Sequence, residues 1–260
     1  MSWGGFKKAV NRASTQVMLK SGHVEQTVDR EFENEERRFR TLEQSSEKLQ
    51  KSARGYLDAL RAMTSAQVRI AETIDLFYGD SGIRDNVSKH YLAAVKELDV
   101  DTVKELDEPY RETVLDPITR FCSYFGDINE AIKKRNHRLL DYDRLRHKTL
   151  KLVDKPSKDP AKLPAAERDE KVAQDRYDEL NDQLSAEIPQ LIDFRVPYLD
   201  PSFEALVKIQ MKYCTDSYNR LAEVQQFMDP QIRENYATGQ IDSHIENTLM
   251  QMRELQIVSL

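Results

Sequence analysis

Lysine and arginine are concentrated in two stretches of a chain that is acidic as a whole. The 260 residues carry a formal net charge of −6 at pH 7. Residues 133–151, however, contain eight Lys or Arg against two Asp, a local net charge of +6, and residues 1–24 contain four against none. Cations at this density bind surfaces of phosphate groups, in lipids or in nucleic acids. Lipid is favoured over nucleic acid, because the run offers only one aromatic ring, Tyr142, for base stacking. A solvated helical face with internal ion pairs is the competing interpretation.

The first residues place apolar and cationic side chains on different faces of one predicted helix. Spacings of three and four residues give an apolar stripe made of Trp3, Phe6, Val10, Ala13 and Val17. Much of the remaining circumference is polar and includes Lys7, Lys8 and Arg12. An aromatic stripe beside cations is typical of a helix that lies in a membrane interface. We therefore predict that the stripe inserts into lipid and that the three cations contact headgroups. A mitochondrial presequence and an arm that docks on a partner protein are the alternatives.

The residue types that carry catalysis or bind metals do not form a recognisable pattern. The five histidines show no pairing at i,i+4 and no nearby cysteine, and there is no phosphate-binding glycine loop. Asp141 and Asp143 suggest acid–base chemistry at first sight. Side chains two residues apart on a helix point in different directions, however, so we expect both to be ordinary surface residues. The sequence predicts neither an enzyme nor a metal site nor a cofactor.

The longest uninterrupted pattern lies in residues 27–78, which contain no proline and only one glycine. Alternating steps of three and four from Phe32 to Phe77 meet apolar residues at eleven of fourteen positions. A repeat of this length predicts a long coiled-coil helix.

Two further long helices are predicted, each interrupted by prolines. A second apolar seam consists of Ile118, Phe121, Phe125, Ile128, Ile132, Leu139 and Tyr142. A proline removes a backbone N–H and bends a helix, so we predict kinks at Pro109, Pro117, Pro189, Pro197 and Pro201. The predicted fold is all-α: an elongated, kinked, antiparallel bundle of three coiled-coil helices, curved into a crescent and paired as a dimer. Its tip is the turn at residues 154–164.

The predicted organisation is an amphipathic segment at residues 1–24, a coiled-coil domain at 25–240 and a short C-terminal helix at 241–260. No apolar run approaches the roughly 20 residues that span a bilayer, so we expect a soluble intracellular protein. Cys122 and Cys214 are expected to be small buried side chains in a reducing compartment.

Several segments together resemble the N-BAR domains of the amphiphysin family, most closely its short fungal BAR-only members. These segments are MSWGGFKKAVNR, RETVLDPITRF, INEAIKKRNHRLLDYD, LVDKPSKDPAKLPAAE and EIPQLIDFRVPYLDPSFEALVKIQMKYCTDSY. The resemblance covers nearly the whole chain. One departure is Asn136, where the family pattern leads us to expect Asp.

The resemblance implies a dimer that senses or generates membrane curvature. The implied headgroup contacts are Lys133, Lys134, Arg135 and Arg138 and, at the tip, Lys155, Lys158 and Lys162. The implied partners are an anionic phospholipid membrane, and either a second copy of the chain or a longer amphiphysin-like protein with an SH3 domain. Endocytic and actin-patch proteins would be reached indirectly, and nucleic acid is not expected.

The implied roles are endocytic vesicle scission, organisation of cortical actin and, in yeasts, cell fusion. The protein would then be cytoplasmic and peripheral to the membrane, at the cell cortex and its endocytic actin patches. The alternative is a helical cytoskeletal scaffold that binds only protein partners.

Overall fold

The computed structural model describes residues 3–20, 27–79, 86–255 and 257, and all regular structure in these residues is helical. The α-helices are α1 (Trp3–Lys20), α2 (Arg30–Tyr78), α3 (Val87–Asp101), α4 (Glu108–Tyr110), α5 (Asp116–Ser123), α6 (Phe125–Asp154), α7 (Lys162–Gln225), α8 (Pro230–Ala237) and α9 (Ile241–Arg253). The predicted all-α class is confirmed. None of the helices in the described ranges has the length and apolar content needed to cross a bilayer.

The chain divides into two compact units. Unit 1 contains residues 1–52 and 115–203, and unit 2 contains residues 53–114 and 204–260. The core of unit 1 is formed by side chains from α2, α6 and α7, among them Phe32, Phe39, Ile132 and Ile188. Phe39 meets the ring of Phe125 edge to face, with the ring centroids 5.8 Å apart.

The core of unit 2 contains Leu60, Leu98, Leu106 and Tyr213. The hydroxyl of Tyr110 donates a hydrogen bond of 2.8 Å to the carbonyl oxygen of Ala53 in its interior. Burial raises the pKa of Tyr110 to about 12, so the phenol keeps its proton and the hydrogen bond over the whole physiological range.

The buried stripe of α2 follows the predicted repeat at first and then moves by one residue. Phe32 and Phe39 are buried as predicted, whereas Met63 and Ile70 are exposed and their neighbours Thr64 and Ala71 are fully buried. An α-helix drifts by ~20° per heptad against a strict seven-residue repeat. Over the more than five heptads from Phe32 to Ala71 the drift is about 110°, close to the ~100° that separates adjacent residues.

Four of the five prolines that predict kinks, Pro109, Pro189, Pro197 and Pro201, lie within continuous helical segments. Residues 102–107 and 111–115 form π-helical turns on either side of α4, which contains Pro109. Pro117 follows at the start of α5, and α7 continues through Pro189, Pro197 and Pro201. Widened turns absorb the missing N–H of a proline without ending the helix. The kinks at the five prolines stay a prediction.

Candidate membrane-binding site

A groove of about 800 Å³ in unit 1 is lined by cations from α6 and α7 and by residues of α1. Its basic residues are Arg12, Lys133, Lys134, Arg138, Arg144 and Arg176. Four carboxylates, from Glu130, Asp141, Asp169 and Glu179, also line it. The Nε of Arg144 is buried there and has no hydrogen-bond partner among the residues that the structure describes. A buried N–H of a guanidinium group that lacks a partner favours an anionic ligand at this position.

The lysines of the groove are the residues most open to a headgroup. Lys133 and Lys134 are both exposed. The Nζ of Lys133 lies 3.1 Å from Glu130, but this is a solvent-exposed pair three residues apart on one helix. Such pairs contribute little free energy, so Lys133 can exchange its partner for a phosphate at small cost. Arg138 is held more firmly, because it donates to the carbonyl oxygen of Arg176 and lies 3.5 Å from Glu179.

Arg135 is buried, and the prediction that it contacts lipid is wrong for this fold. Only 4% of the residue is exposed. Its guanidinium donates to Asn181 and to the hydroxyl of Tyr177, both at 2.8 Å, and to Asp29 at 3.4 Å. It also lies over the ring of Phe32, with Cζ 4.0 Å from the centroid. Arg135 therefore joins α6 to α7 and to the start of α2.

A signal for this role is present in the sequence. The seam of α6 passes from Ile132 to Leu139 in steps of three and four, and position 135 is the step between them. A cation on an apolar seam is more often a buried, paired group than a surface charge.

Asp29 directly precedes α2, and its carboxylate accepts hydrogen bonds from the backbone N–H of Phe32 at 3.0 Å and from the amide of Asn181 at 2.8 Å. Burial alone would raise the pKa of Asp29, but the hydrogen bonds from Phe32 and Asn181 and the charge of Arg135 hold the pKa below the ordinary value of an aspartate. The carboxylate is therefore ionised in the folded protein at neutral pH.

The ionised form of Asp29 stabilises the fold, and this gives a pH prediction. Because the folded pKa is depressed, the contribution is fully present above the unfolded pKa and is lost as pH falls through the folded pKa. We expect Asp29→Asn to lower the free energy of unfolding at pH 7, and the deficit relative to the unmodified chain to shrink as pH falls below about 4. Urea unfolding of both proteins between pH 7 and pH 3.5 measures the difference. A deficit that is constant with pH would contradict the assignment.

Helix α1 lies against α6 and turns much of its apolar stripe outward. Phe6, Val10 and Val17 are 58%, 51% and 67% exposed, and Ala13 is exposed as well. The side chains of Trp3, Lys7 and Lys8 lie outside the described residues, so their predicted roles stay predictions. Arg12 forms a two-pronged ion pair with Asp141, with Nη2 2.6 Å and Nε 3.1 Å from the carboxylate oxygens. The structure thus assigns Arg12 to the attachment of α1, and it leaves the set of headgroup contacts.

Neither aspartate of residues 141–143 is an ordinary surface residue, which corrects that expectation. Asp141 is only partly exposed beside Arg12, and Asp143 is fully buried. Asp143 accepts a 2.6 Å hydrogen bond from the hydroxyl of Thr27, and its carboxylate lies 3.8 Å from Arg146. Two acceptors within one turn of α6 therefore hold both α1 and the residues that precede α2.

The turn between α6 and α7 presents further cations. Lys155 and Lys158 are exposed in this turn, and Lys162 is exposed at the first position of α7. The side chain of Asp159 accepts a hydrogen bond from the backbone N–H of Ala161 at 3.0 Å, which shapes the turn just before α7.

Unit 1 also carries an exposed apolar surface around the prolines of α7. Its exposed residues include Leu49, Phe194, Val196 and Phe203, and a cavity of about 300 Å³ opens beside them. Cys122 is half-buried at the edge of the core, and burial and the nearby charge of Glu47 raise its pKa. Cys214 is exposed, so the expectation of two buried cysteines is wrong for this one.

A family model described as "BAR domain" matches residues 6–229. The chain belongs to the BAR domain family. It is 62% identical to "Protein hob3" of Schizosaccharomyces pombe, over 100% of this chain and 98% of that protein. It is 54% identical to "Regulator of cytoskeleton and endocytosis RVS161" of Candida albicans, over 100% and 99% respectively.

The fold of this BAR domain is also similar to a solved structure. The amphiphysin BAR domain from Drosophila aligns with a TM-score of 0.66 over 81% of this chain and 96% of that domain, at 22% sequence identity. The predicted resemblance to amphiphysin-type and short fungal BAR proteins is confirmed.

Proposed function

We propose that this BAR domain protein binds anionic membranes as a dimer, senses or generates their curvature, and acts in endocytosis and in the organisation of cortical actin. It has no enzymatic role in this proposal. One observation carries it: exposed apolar side chains of α1 and exposed lysines of α6 occur on two helices that contact each other. An apolar insertion combined with a basic patch is the two-part signal that gives stable attachment to an anionic bilayer.

The headgroup contacts in this proposal are narrower than the sequence suggested. They comprise Lys7 and Lys8 of α1, Lys133, Lys134 and Arg138 in the groove, and Lys155, Lys158 and Lys162 at the turn. Lysine and arginine near an anionic bilayer contribute about 1 kcal/mol each. Two copies in a dimer double the number of contacts, so several weak contacts add up to firm binding.

The dimer partner in this proposal is a second copy or a related BAR protein with an SH3 domain. Support comes from the apolar surface around Phe194 and Phe203, since exposed apolar patches of this kind mark interaction surfaces. We further propose that the prolines of the long helices curve the dimer. Residues 1–24 would be its membrane-binding segment, 25–240 its coiled coil and 241–260 a short closing helix.

The name of the Candida relative, which refers to cytoskeleton and endocytosis, supports a place at the cell cortex and its endocytic actin patches. Such a site is peripheral and cytoplasmic. The protein would reach actin through other endocytic proteins rather than bind it directly.

Co-sedimentation with vesicles that contain phosphatidylserine tests this function. We expect the full chain to bind at low salt, to bind more weakly at high salt because surface charges are screened, and to bind more weakly still when residues 1–24 are deleted. Neutral phosphatidylcholine vesicles are the matched lipid control. Absence of binding by a chain shown to be dimeric in the same buffer would contradict the proposal. It would favour the alternative function, a helical scaffold that binds only protein partners.

A further inference from the structure

Helix α1 contacts α6 through polar residues. The ion pair of Arg12 with Asp141 is the main directed contact, with two N–O distances of 2.6 and 3.1 Å. Thr15, one turn further along α1, is 3% exposed, and its hydroxyl donates to the carbonyl oxygen of Asn11 at 2.9 Å. Asn11, Arg12 and Thr15 therefore mark the face of α1 that lies on the protein, which we call the docking face.

The docking face and the apolar stripe lie on opposite sides of the same helix. At 3.6 residues per turn each residue advances by ~100°, and the stripe of Phe6, Val10, Ala13 and Val17 is then centred about 180° from the docking face. The exposed fractions agree, because Phe6, Val10 and Val17 are each more than half exposed. The helix can thus contact the protein on one side and lipid on the other.

Residues 27–29, directly before α2, are attached to the same helix, α6. Thr27 donates to Asp143 through its hydroxyl at 2.6 Å, and Asp143 is two residues beyond Asp141. Asp29, two residues after Thr27, is paired with Arg135, also on α6. Helix α6 therefore holds two separate sites of attachment, one for α1 and one for the residues directly before α2.

We infer that α6 is a docking surface for α1, and that α1 inserts its apolar stripe into lipid while Arg12 stays paired with Asp141. This inference rests on the proposed membrane binding. A docked helix is already folded and oriented when it meets the bilayer, so less conformational entropy is lost on insertion than for a free segment. Insertion by α1 would also act directly on the coiled coil, because the two are joined by side-chain contacts and not only by the intervening chain.

Hydrogen exchange without lipid tests the docking alone. We expect amides of residues 9–18 to be protected in the full chain and to exchange about tenfold faster in Asp141→Asn, because the charge-assisted pair is lost. The charge swap Arg12→Asp with Asp141→Arg should restore much of the protection. Asp127→Asn, at an exposed position of α6, makes the same change of charge and should leave α1 unaffected. Equal exchange of α1 in Asp141→Asn and in the unmodified chain would overturn the docking.

Insertion into phosphatidylserine vesicles tests whether α1 stays docked on α6 while its apolar stripe enters the lipid. Trp3 is the only tryptophan, so its fluorescence reports directly on α1 in lipid. Asp141→Asn makes the protein more positive, and charge alone would give equal or tighter binding. The docked arrangement instead gives about threefold weaker insertion for Asp141→Asn than for the charge-matched Asp127→Asn. Identical insertion by the two variants would show that α1 leaves α6 on the membrane and would overturn that half of the inference.

The hydrogen-exchange and vesicle experiments distinguish a failure of the docking inference from a failure of the proposed membrane function. If the unmodified chain fails to bind the vesicles, the proposed membrane function is wrong, while hydrogen exchange still decides whether α1 docks on α6. If the chain binds and α1 shows no protection in solution, the membrane function stands and the docking is wrong.

Discussion

Reversing the charge of two lysines, Lys133→Glu together with Lys134→Glu, is expected to abolish most binding to anionic vesicles. Each lysine near the bilayer contributes about 1 kcal/mol, and each glutamate adds repulsion in its place. Two substitutions in each protomer of a dimer therefore weaken binding by about a hundredfold or more. Because both side chains are exposed and lie outside the core, the free energy of unfolding should change little. Co-sedimentation at a fixed salt concentration measures the loss.

The matched control is Lys48→Glu with Lys51→Glu, which makes the same change of net charge at two exposed positions of α2. It should retain binding within severalfold of the unmodified chain, provided that the dimer is intact by light scattering. Normal vesicle binding by the Lys133, Lys134 variant would remove the headgroup role of the groove and favour the scaffold that binds only proteins.

Replacing Arg135 is expected to destabilise the fold rather than to weaken membrane binding. Arg135→Met leaves Asp29 without its cation and removes the hydrogen bonds to Asn181 and Tyr177. Breaking a buried pair from one side costs about 3 to 5 kcal/mol, and we expect the lower end because Asp29 keeps some contact with water. Chemical unfolding with urea measures the change in free energy.

Arg138→Met on the same helix is the comparison, because Arg138 is more exposed and its pair with Glu179 is long. Its stability should fall by no more than about 1 kcal/mol. Folded Arg135→Met protein should bind vesicles as the unmodified chain does. Reduced binding by fully folded Arg135→Met, with unchanged stability, would return Arg135 to the headgroup set.

The long helices could be predicted because their signal is local. The apolar repeat of α2 and the turn before α7 are both visible without knowledge of the fold. The exact set of buried residues along α2 could not be predicted in the same way. The helix drifts against a seven-residue repeat and therefore buries Thr64 and Ala71 in place of Met63 and Ile70. The predicted and the observed buried stripes therefore differ by one residue only after many turns of the helix.

The roles of individual charges could be predicted less well than the helices. Arg135 belongs to the same basic run as Lys133 and Lys134, and its place on the apolar seam indicates burial, but its partners are residues 42 to 106 positions away. The same holds for Asp143, whose partner Thr27 is 116 positions away. The amphipathic pattern of α1 correctly separates an apolar from a polar side. It gives no sign that the polar side contacts α6, because a cation is equally suited to phosphate and to carboxylate.

The exposed thiol of Cys214 allows the accessibility of one face of α7 to be measured by thiol labelling of the unmodified chain. Met211, Cys214 and Tyr218 recur at intervals of three and four residues and are all exposed, so they share one face of the helix. Cys122 is half-buried with a raised pKa, and therefore forms little of the thiolate that an alkylating reagent attacks. A reagent in limited amount labels Cys214 first. Its rate of reaction thus reports, without any substitution, how often this face of α7 is covered by another molecule.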